Sequence, residues 1–280
     1  MMEGIGWLEA LVLGIVQGLT EFLPISSSAH LRVVSAFAGW EDPGAAFTAV
    51  TQLGTESAVL LYFRRDIWQI VRAWTLSLFR PTMRDDPAAR MGWYVILGTL
   101  PIGVLGFTLR DVIESTFRDL RIIGTTLVLF GVVLGLADRF ARNAKPLTAL
   151  TTRDGLLFGL AQSLALIPGV SRSGGTISGG LLLGYTRAAA ARYSFLLAIP
   201  AVLASGVFEL RKIGDEAAAP EWGPTVLATV LAFGVGFAVI AWFLRYISNE
   251  RHSFAPFVLY RIGLGLTVIA LLTAGVIPAA

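Results

Sequence analysis

Gln17, Glu21, Ser26, Ser27, Ser28 and His30 fall within fourteen positions of one another in an otherwise apolar stretch, GIVQGLTEFLPISSSAHL (14–31). A carboxylate, hydroxyls and an imidazole so close together are the parts of acid–base or nucleophilic chemistry. Gln17 and Glu21 are four apart and share one helix face. Pro24 disfavours helix at Leu23 and ends the first helix. The serines that follow can N-cap a second helix, with His30 in or near its first turn. A second polar stretch, PGVSRSGGT (168–176), sets Ser171, Arg172, Ser173 and Thr176 among glycines just before a helix start. Helix-end amides, a partial positive dipole and a guanidinium fork make a phosphate site. A Gly-rich turn with an arginine reaching the interface is the plainer alternative, but an unpaired cation within an apolar segment is expensive. Glu21 and Gln17 offer oxygen ligands of the kind magnesium and calcium prefer, and such an ion would neutralise phosphate charge. Neither stretch is a Walker loop, whose glycines lead to Gly-Lys-Ser/Thr.

The surrounding chain must place these residues inside a membrane. Of 280 residues, 55% are hydrophobic and 15% charged, with mean hydropathy +0.71. Soluble domains carry about 25% charged residues. There is no cysteine, so disulfides and thiolate metal sites are excluded. The first residues contain Glu3 and no Lys or Arg, unlike a secretory signal, so the first helix is expected to be retained. A net charge of +3 calls for no nucleic-acid partner. No serial period-2 alternation suggests an outer-membrane barrel.

The expected fold is an all-α polytopic membrane protein, a single membrane domain built as an inverted-topology repeat. The first repeat, 1–140, has a re-entrant hairpin at about 7–39 and spans near 47–63, 91–109 and 121–138. The second, 153–280, has a hairpin at about 154–184 and spans near 192–210, 223–246 and 256–276. The hairpin helices are short of the roughly 20 residues a span needs. A shift of 145 pairs Gly14 with Gly159, Gln17 with Gln162, Leu19 with Leu164, Ser26 with Ser171 and Ser28 with Ser173. Three spans per half is odd, so the halves are inverted and the two breaks face each other near the midplane.

Six arginines lie in 64–90, on a basic amphipathic segment read as a cytoplasmic interfacial helix. With the later loops they put fourteen Lys or Arg on one side against six on the other, the latter being Arg32, Arg110, Arg118, Arg121, Arg211 and Lys212. The richer side is cytoplasmic, which leaves both termini and the first hairpin's mouth outside. Among other ionisable residues, Glu56 lies in a span, where pairing with a hairpin group is one reading. Glu209 and Arg261 are placed near span ends with structural roles, and His252 in a solvated loop.

At its two polar stretches the sequence resembles the undecaprenyl-diphosphate phosphatase family, also known as bacitracin-resistance proteins. The family's signatures are Glu/Gln-x-x-x-Glu leading into proline, serines and histidine, and Pro-Gly-x-Ser-Arg-Ser-x-x-Thr. They read here QGLTE then FLPISSSAH, and PGVSRSGGT, and the similarity spans essentially the whole chain. The resemblance implies facing re-entrant hairpins. It also implies hydrolysis of a C55 isoprenyl diphosphate to the monophosphate and inorganic phosphate at the outer face of the bacterial plasma membrane. That reaction recycles the lipid carrier for peptidoglycan and confers bacitracin resistance. The family depends on magnesium or calcium. Carried across, Glu21 and Gln17 sit at the metal or diphosphate, while Ser27 and His30 are the nucleophile and acid/base candidates. Arg172, Ser171, Ser173 and Thr176 bind phosphate, with Ser26 beside them. Position 17 is an amide where Glu is commoner, so Gln17 serves as a ligand or orienting group, not a base.

On this reading Ser27 attacks the terminal phosphorus, or positions a water, His30 handles the proton, and Arg172 and the metal stabilise the equatorial oxygens. A transporter or flippase for a lipid phosphate is the alternative, since inverted repeats with broken helices also build transporters. The other membrane phosphatase pattern fails: six residues beyond Arg172 is Ser178, not histidine, and no Lys-x6-Arg-Pro precedes it. The polyprenyl lipid and membrane lipids are the expected partners, and a homodimer is left open.

Overall fold

The computed structural model describes residues 5–109, 119–215 and 221–278. Arg110 and Arg118 lie outside these residues, as do the side chains of Glu209, Arg211 and Lys212. The described chain is all-helical, with a lone bridge between Lys145 and Tyr185 and no sheet. Its helices are α1 (Trp7–Thr20), α2 (Ser27–Ala38), α3 (Gly44–Tyr62), α4 (Arg64–Phe79), α5 (Pro87–Thr108) and α6 (Leu120–Phe140). They continue as α7 (Thr152–Ser163), α8 (Arg172–Leu182), α9 (Arg187–Asp215), α10 (Trp222–Ser248) and α11 (Ala255–Thr273).

Among the described residues, five helices are long and apolar enough to cross a membrane: α5, α6, α9 over Arg187–Gly206, α10 and α11. They correspond to five of the six expected full spans. The sixth, expected at 47–63, forms as α3 but is not among the five. Its 19 residues include Thr48, Thr51, Gln52, Thr55 and Glu56, a polar face turned inward, with Thr51, Thr55 and Glu56 buried. Of the basic segment, Arg64–Phe79 form α4 with Arg64, Arg65 and Arg72, while Arg80 and Arg84 follow it and Arg90 lies in α5.

The short helices have local causes. At 14 residues α1 is about 21 Å long, well under a hydrocarbon core of about 30 Å. It stops before Pro24 because proline offers no amide and crowds the preceding residue. The chain turns into α2 through Ser26, held at φ 74°, and into α8 through Ser171, held at φ 72°. Both are left-handed conformations that an L-residue adopts at a cost. Gly169, at φ 88°, needs no side chain for a second reason: a Cβ there would overlap Thr126 Oγ1. Thr126 Oγ1 instead donates to the Pro168 carbonyl at 2.6 Å.

Small residues bring the short helices close to long ones. Gly14 lies against the Ala228 backbone, joining α1 to α10, and Gly159 against Gly98, joining α7 to α5. Below the breaks, an aromatic core fixes the hairpins to α9: Phe22 meets Phe195 edge-on at 5.6 Å, and Phe158 meets Tyr193 at 4.9 Å.

Arg261 holds the centre. It lies seven residues into α11, fully buried, and not near a span end as the sequence reading placed it. Its guanidinium donates to the carbonyls of Pro24 at 3.0 Å, Gly169 at 2.6 Å and Val170 at 3.0 Å, and its Nε to Leu127 at 3.1 Å. Both broken backbones expose carbonyls that no helix ladder satisfies, and this one side chain serves both.

Candidate active site

Glu21 caps the end of α1, so its carboxylate faces the gap that the break opens. Its Oε2 accepts from Ser27 Oγ at 2.6 Å and from Gln17 Nε2 at 2.9 Å. Its Oε1 accepts from Arg172 Nη2 at 2.7 Å and from Gln52 Nε2 at 3.3 Å. A buried carboxylate is tolerable only when paired and hydrogen-bonded, and this one has four donors. Glu56 approaches from α3, its Oε2 4.0 Å from the same Arg172 Nη2. Arg172 Nη1 reaches the Ala198 carbonyl on α9 at 3.4 Å. Three separate parts of the chain thus meet at one guanidinium.

The sequence-predicted residues divide into two groups. Gln17, Glu21, Ser27 and Arg172 form one connected network. His30 stands apart from it. Its Nδ1 lies 2.6 Å from the Ser26 carbonyl, which only an N–H can satisfy, so Nδ1 carries the proton. Its Nε2 then accepts from Tyr260 Oη at 2.9 Å, with the two rings stacked 5.5 Å apart. His30 was expected to handle the Ser27 proton, but in this geometry the Ser27 hydroxyl donates to Glu21 instead.

The other hydroxyls bind the protein itself. Ser26 Oγ lies 3.3 Å from Ser28 Oγ. Ser171 caps α8 by accepting from the Gly174 amide at 3.1 Å, and its Oγ is 3.1 Å from Ser173 Oγ. Ser173 donates across the gap to the Leu23 carbonyl at 3.0 Å. Thr176 donates back to the Arg172 carbonyl and meets Ser194. Ser171, Ser173 and Thr176 thus cap and tie down the start of α8.

Several neighbours escaped the sequence reading. Gln52 is spaced like any polar residue on a helix, and Tyr260 like any interfacial aromatic. The one readable signal was at Arg261, an isolated cation in an apolar run. Two surface clefts, of about 300 and 470 Å³, lie elsewhere: one is lined by Asp66, Tyr94 and Arg192, the other by Arg32, Trp40 and Asp42. The Arg172–Glu21 pair itself closes the gap between the breaks.

A serine hydroxyl, a carboxylate and a guanidinium thus form one network between two helix breaks, at the two polar motifs. The model of the family described as bacitracin resistance protein BacA matches residues 10–267. This chain belongs to that family. A protein of Frankia casuarinae called undecaprenyl-diphosphatase 2 is 68% identical over 279 residues, covering 95% of each chain. Undecaprenyl-diphosphatase 3 of Frankia alni is 64% identical over 290 residues, covering 98% of this chain and 97% of its own. An undecaprenyl-diphosphatase of Nocardioides sp. is 59% identical over 275 residues, covering 98% and 100%.

Whether the residues of this BacA-family site suit a divalent cation is a question of donor chemistry. Among the described residues, no group of three or more His, Asp or Glu side chains is gathered to hold a metal. The site offers oxygen donors only, and the buried Gln17 Oε1 has no hydrogen-bond partner. One or two carboxylates completed by substrate phosphate oxygens is the usual magnesium arrangement, so the donors fit.

Proposed function

We propose that this chain is an integral membrane undecaprenyl-diphosphate phosphatase, releasing inorganic phosphate and regenerating the lipid monophosphate for cell-wall synthesis. Turnover of this carrier underlies the bacitracin resistance for which the family is named. The observation that carries the reading is the Ser27–Glu21–Arg172 chain, with links of 2.6 and 2.7 Å. A hydroxyl within hydrogen-bond reach of a carboxylate is an activated nucleophile, and the guanidinium fork beside it suits phosphoryl oxygens.

In this mechanism Arg172 exchanges Glu21 for the terminal phosphoryl group, aided by the amides and dipole of α8. Ser27 Oγ attacks the terminal phosphorus while Glu21 takes its proton. The anhydride P–O bond breaks, and Glu21 passes the proton to the departing lipid phosphate. Glu21 then deprotonates a water that cleaves the phosphoserine, and the proton returns to Ser27. Gln17 and Gln52 hold the carboxylate in place throughout. His30, locked between Ser26 and Tyr260, shapes the turn that presents Ser27. Glu21 and Gln17 would hold a magnesium or calcium ion, which would supply charge neutralisation for the diphosphate.

The architecture behind this site is an inverted-topology repeat of about 1–140 and 153–280. The helix starts support it: Trp7 and Thr152, and Ser27 and Arg172, are each 145 apart. So does the exchange of partners, with α1 on α10 and α7 on α5. The excess of Lys and Arg on one side supports a plasma-membrane orientation with both termini outside and the first hairpin open to the outer face. A lipid-phosphate carrier would draw on the same architecture, but it has no use for a hydroxyl paired with a base.

Purified protein given undecaprenyl diphosphate should release phosphate and trap a labelled phosphoryl group on Ser27. Both signals should vanish in Ser27→Ala. Full phosphate release in both Ser27→Ala and Arg172→Ala would overturn the assignment.

A further inference from the structure

Glu56 has no role in the steps above, yet it is built into the site. It is 1% exposed, and its Oε2 faces Arg172 Nη2 at 4.0 Å. Its Oε1 is buried and has no hydrogen-bond partner. A fully buried carboxylate oxygen without a donor is costly. Gln17, which donates to Glu21 through Nε2, also has its Oε1 buried and without a partner. The formal charges are unbalanced as well, with one guanidinium serving two carboxylates.

Phosphate binding sharpens that imbalance. Arg172 Nη2 is the nitrogen that holds Glu21 Oε1 and faces Glu56 Oε2. Once the guanidinium turns to the diphosphate, both carboxylates lose their counter-charge and confront a polyanion. A second cation must enter, and the unpartnered oxygens mark where its ligands are. We propose that Glu56 is a ligand for a divalent cation, acting with Glu21 as the second carboxylate of the site and recruited together with the diphosphate. The proposal rests on the phosphatase reading. It makes α3, which neither motif includes, part of the site, and it accounts for a buried acid on that helix.

The test uses the full-length protein in detergent micelles and Mn²⁺ as probe, followed by electron paramagnetic resonance with and without methylenediphosphonate. Wild type should bind Mn²⁺ more tightly when the diphosphonate is present. Glu56→Gln, which keeps shape and removes charge, should weaken that binding about tenfold or more. It should also raise the Mg²⁺ concentration needed for half-maximal phosphate release by a similar factor. Gln17→Glu in the Glu56→Gln background returns a carboxylate to the site from α1 and should restore most of the lost affinity. A purely structural Glu56 would lower thermal stability and leave Mn²⁺ affinity unchanged in the folded fraction. Wild-type Mn²⁺ affinity in Glu56→Gln would overturn the proposal, as would a wild-type protein that binds no Mn²⁺. If Glu56→Gln does not fold, Glu56→Asp decides, since a retained charge on a shorter arm should bind Mn²⁺ with intermediate affinity; unchanged affinity would count against the role. Absence of phosphate release by wild type would instead sink the phosphatase reading, while the Mn²⁺ titration still judges Glu56.

Discussion

The two helix breaks have nearly the same backbone and opposite chemistry. Ser26 and Ser171 are both left-handed, at φ 74° and 72°, and each places its hydroxyl near that of the serine two residues on, at 3.3 and 3.1 Å. Each break leads into a helix of similar length, 12 and 11 residues. The first residue of that helix is Ser27 in one and Arg172 in the other. At the position matching Glu21 the second break has Leu166. One break supplies a hydroxyl and a carboxylate and the other the cation, and only together do they form the network. A backbone that turns through a left-handed serine into a helix N-terminus is reusable, and different side chains follow it in the two breaks.

If the breaks are complementary, removing the cation should have the largest effect. Arg172→Ala should reduce phosphate release by about 10³-fold, the cost of losing a preorganised transition-state contact, and Arg172→Lys should not recover it because the fork is lost. Steady-state phosphate assays would show this. The brace between the breaks comes next. Arg261→Met strands the Pro24, Gly169 and Val170 carbonyls of the two breaks, at about 1–3 kcal/mol for each buried unsatisfied group. Loss of stability by 3 kcal/mol or more, about the lower part of that range summed, should appear as a lower thermal midpoint in detergent. An unchanged midpoint would mean the breaks hold together without it.

Ser173→Ala tests the direct link between the breaks. Losing the bond to the Leu23 carbonyl should cost about 1 kcal/mol and weaken activity by roughly a factor of five to ten. Tyr260→Phe should do least. It frees His30 Nε2 but leaves the stacked ring and the Ser26 bond, so phosphate release should change by less than about tenfold. A loss as large as that of Arg172→Ala would return His30 to the centre of proton transfer.

The residues of the reacting network were readable because they break local rules. Glu21 and Arg172 are charges in apolar runs, and Pro24 and Pro168-Gly169 stop helices that lipid would otherwise favour. What could not be read was which neighbours they find. Glu56 was one polar residue among several on a helix, and its distance to Arg172 depends on how α3 lies beside α8 and α9. His30 was expected at the centre from its residue type and nearness in sequence. A helical turn of backbone instead ties its Nδ1 to Ser26, and α11 brings Tyr260 to its other nitrogen. The sixth span was anticipated from length, but the polar face of α3 serves the site interior.

By itself, then, the sequence determined that the chain is a helical membrane protein, that its helices break at two places, and that those places hold the parts of phosphoryl chemistry. These follow from local causes: hydropathy, proline sterics, helix capping and the cost of charge in lipid. Only the tertiary structure decided that Ser27 gives its hydrogen bond to Glu21, that Arg172 lies between Glu21 and Glu56, and that Arg261 binds both breaks. Those contacts join residues up to 237 positions apart, and nothing local sets them. They depend on helices approaching through glycine and alanine until buried backbone groups left unpaired by each break find a donor on another helix.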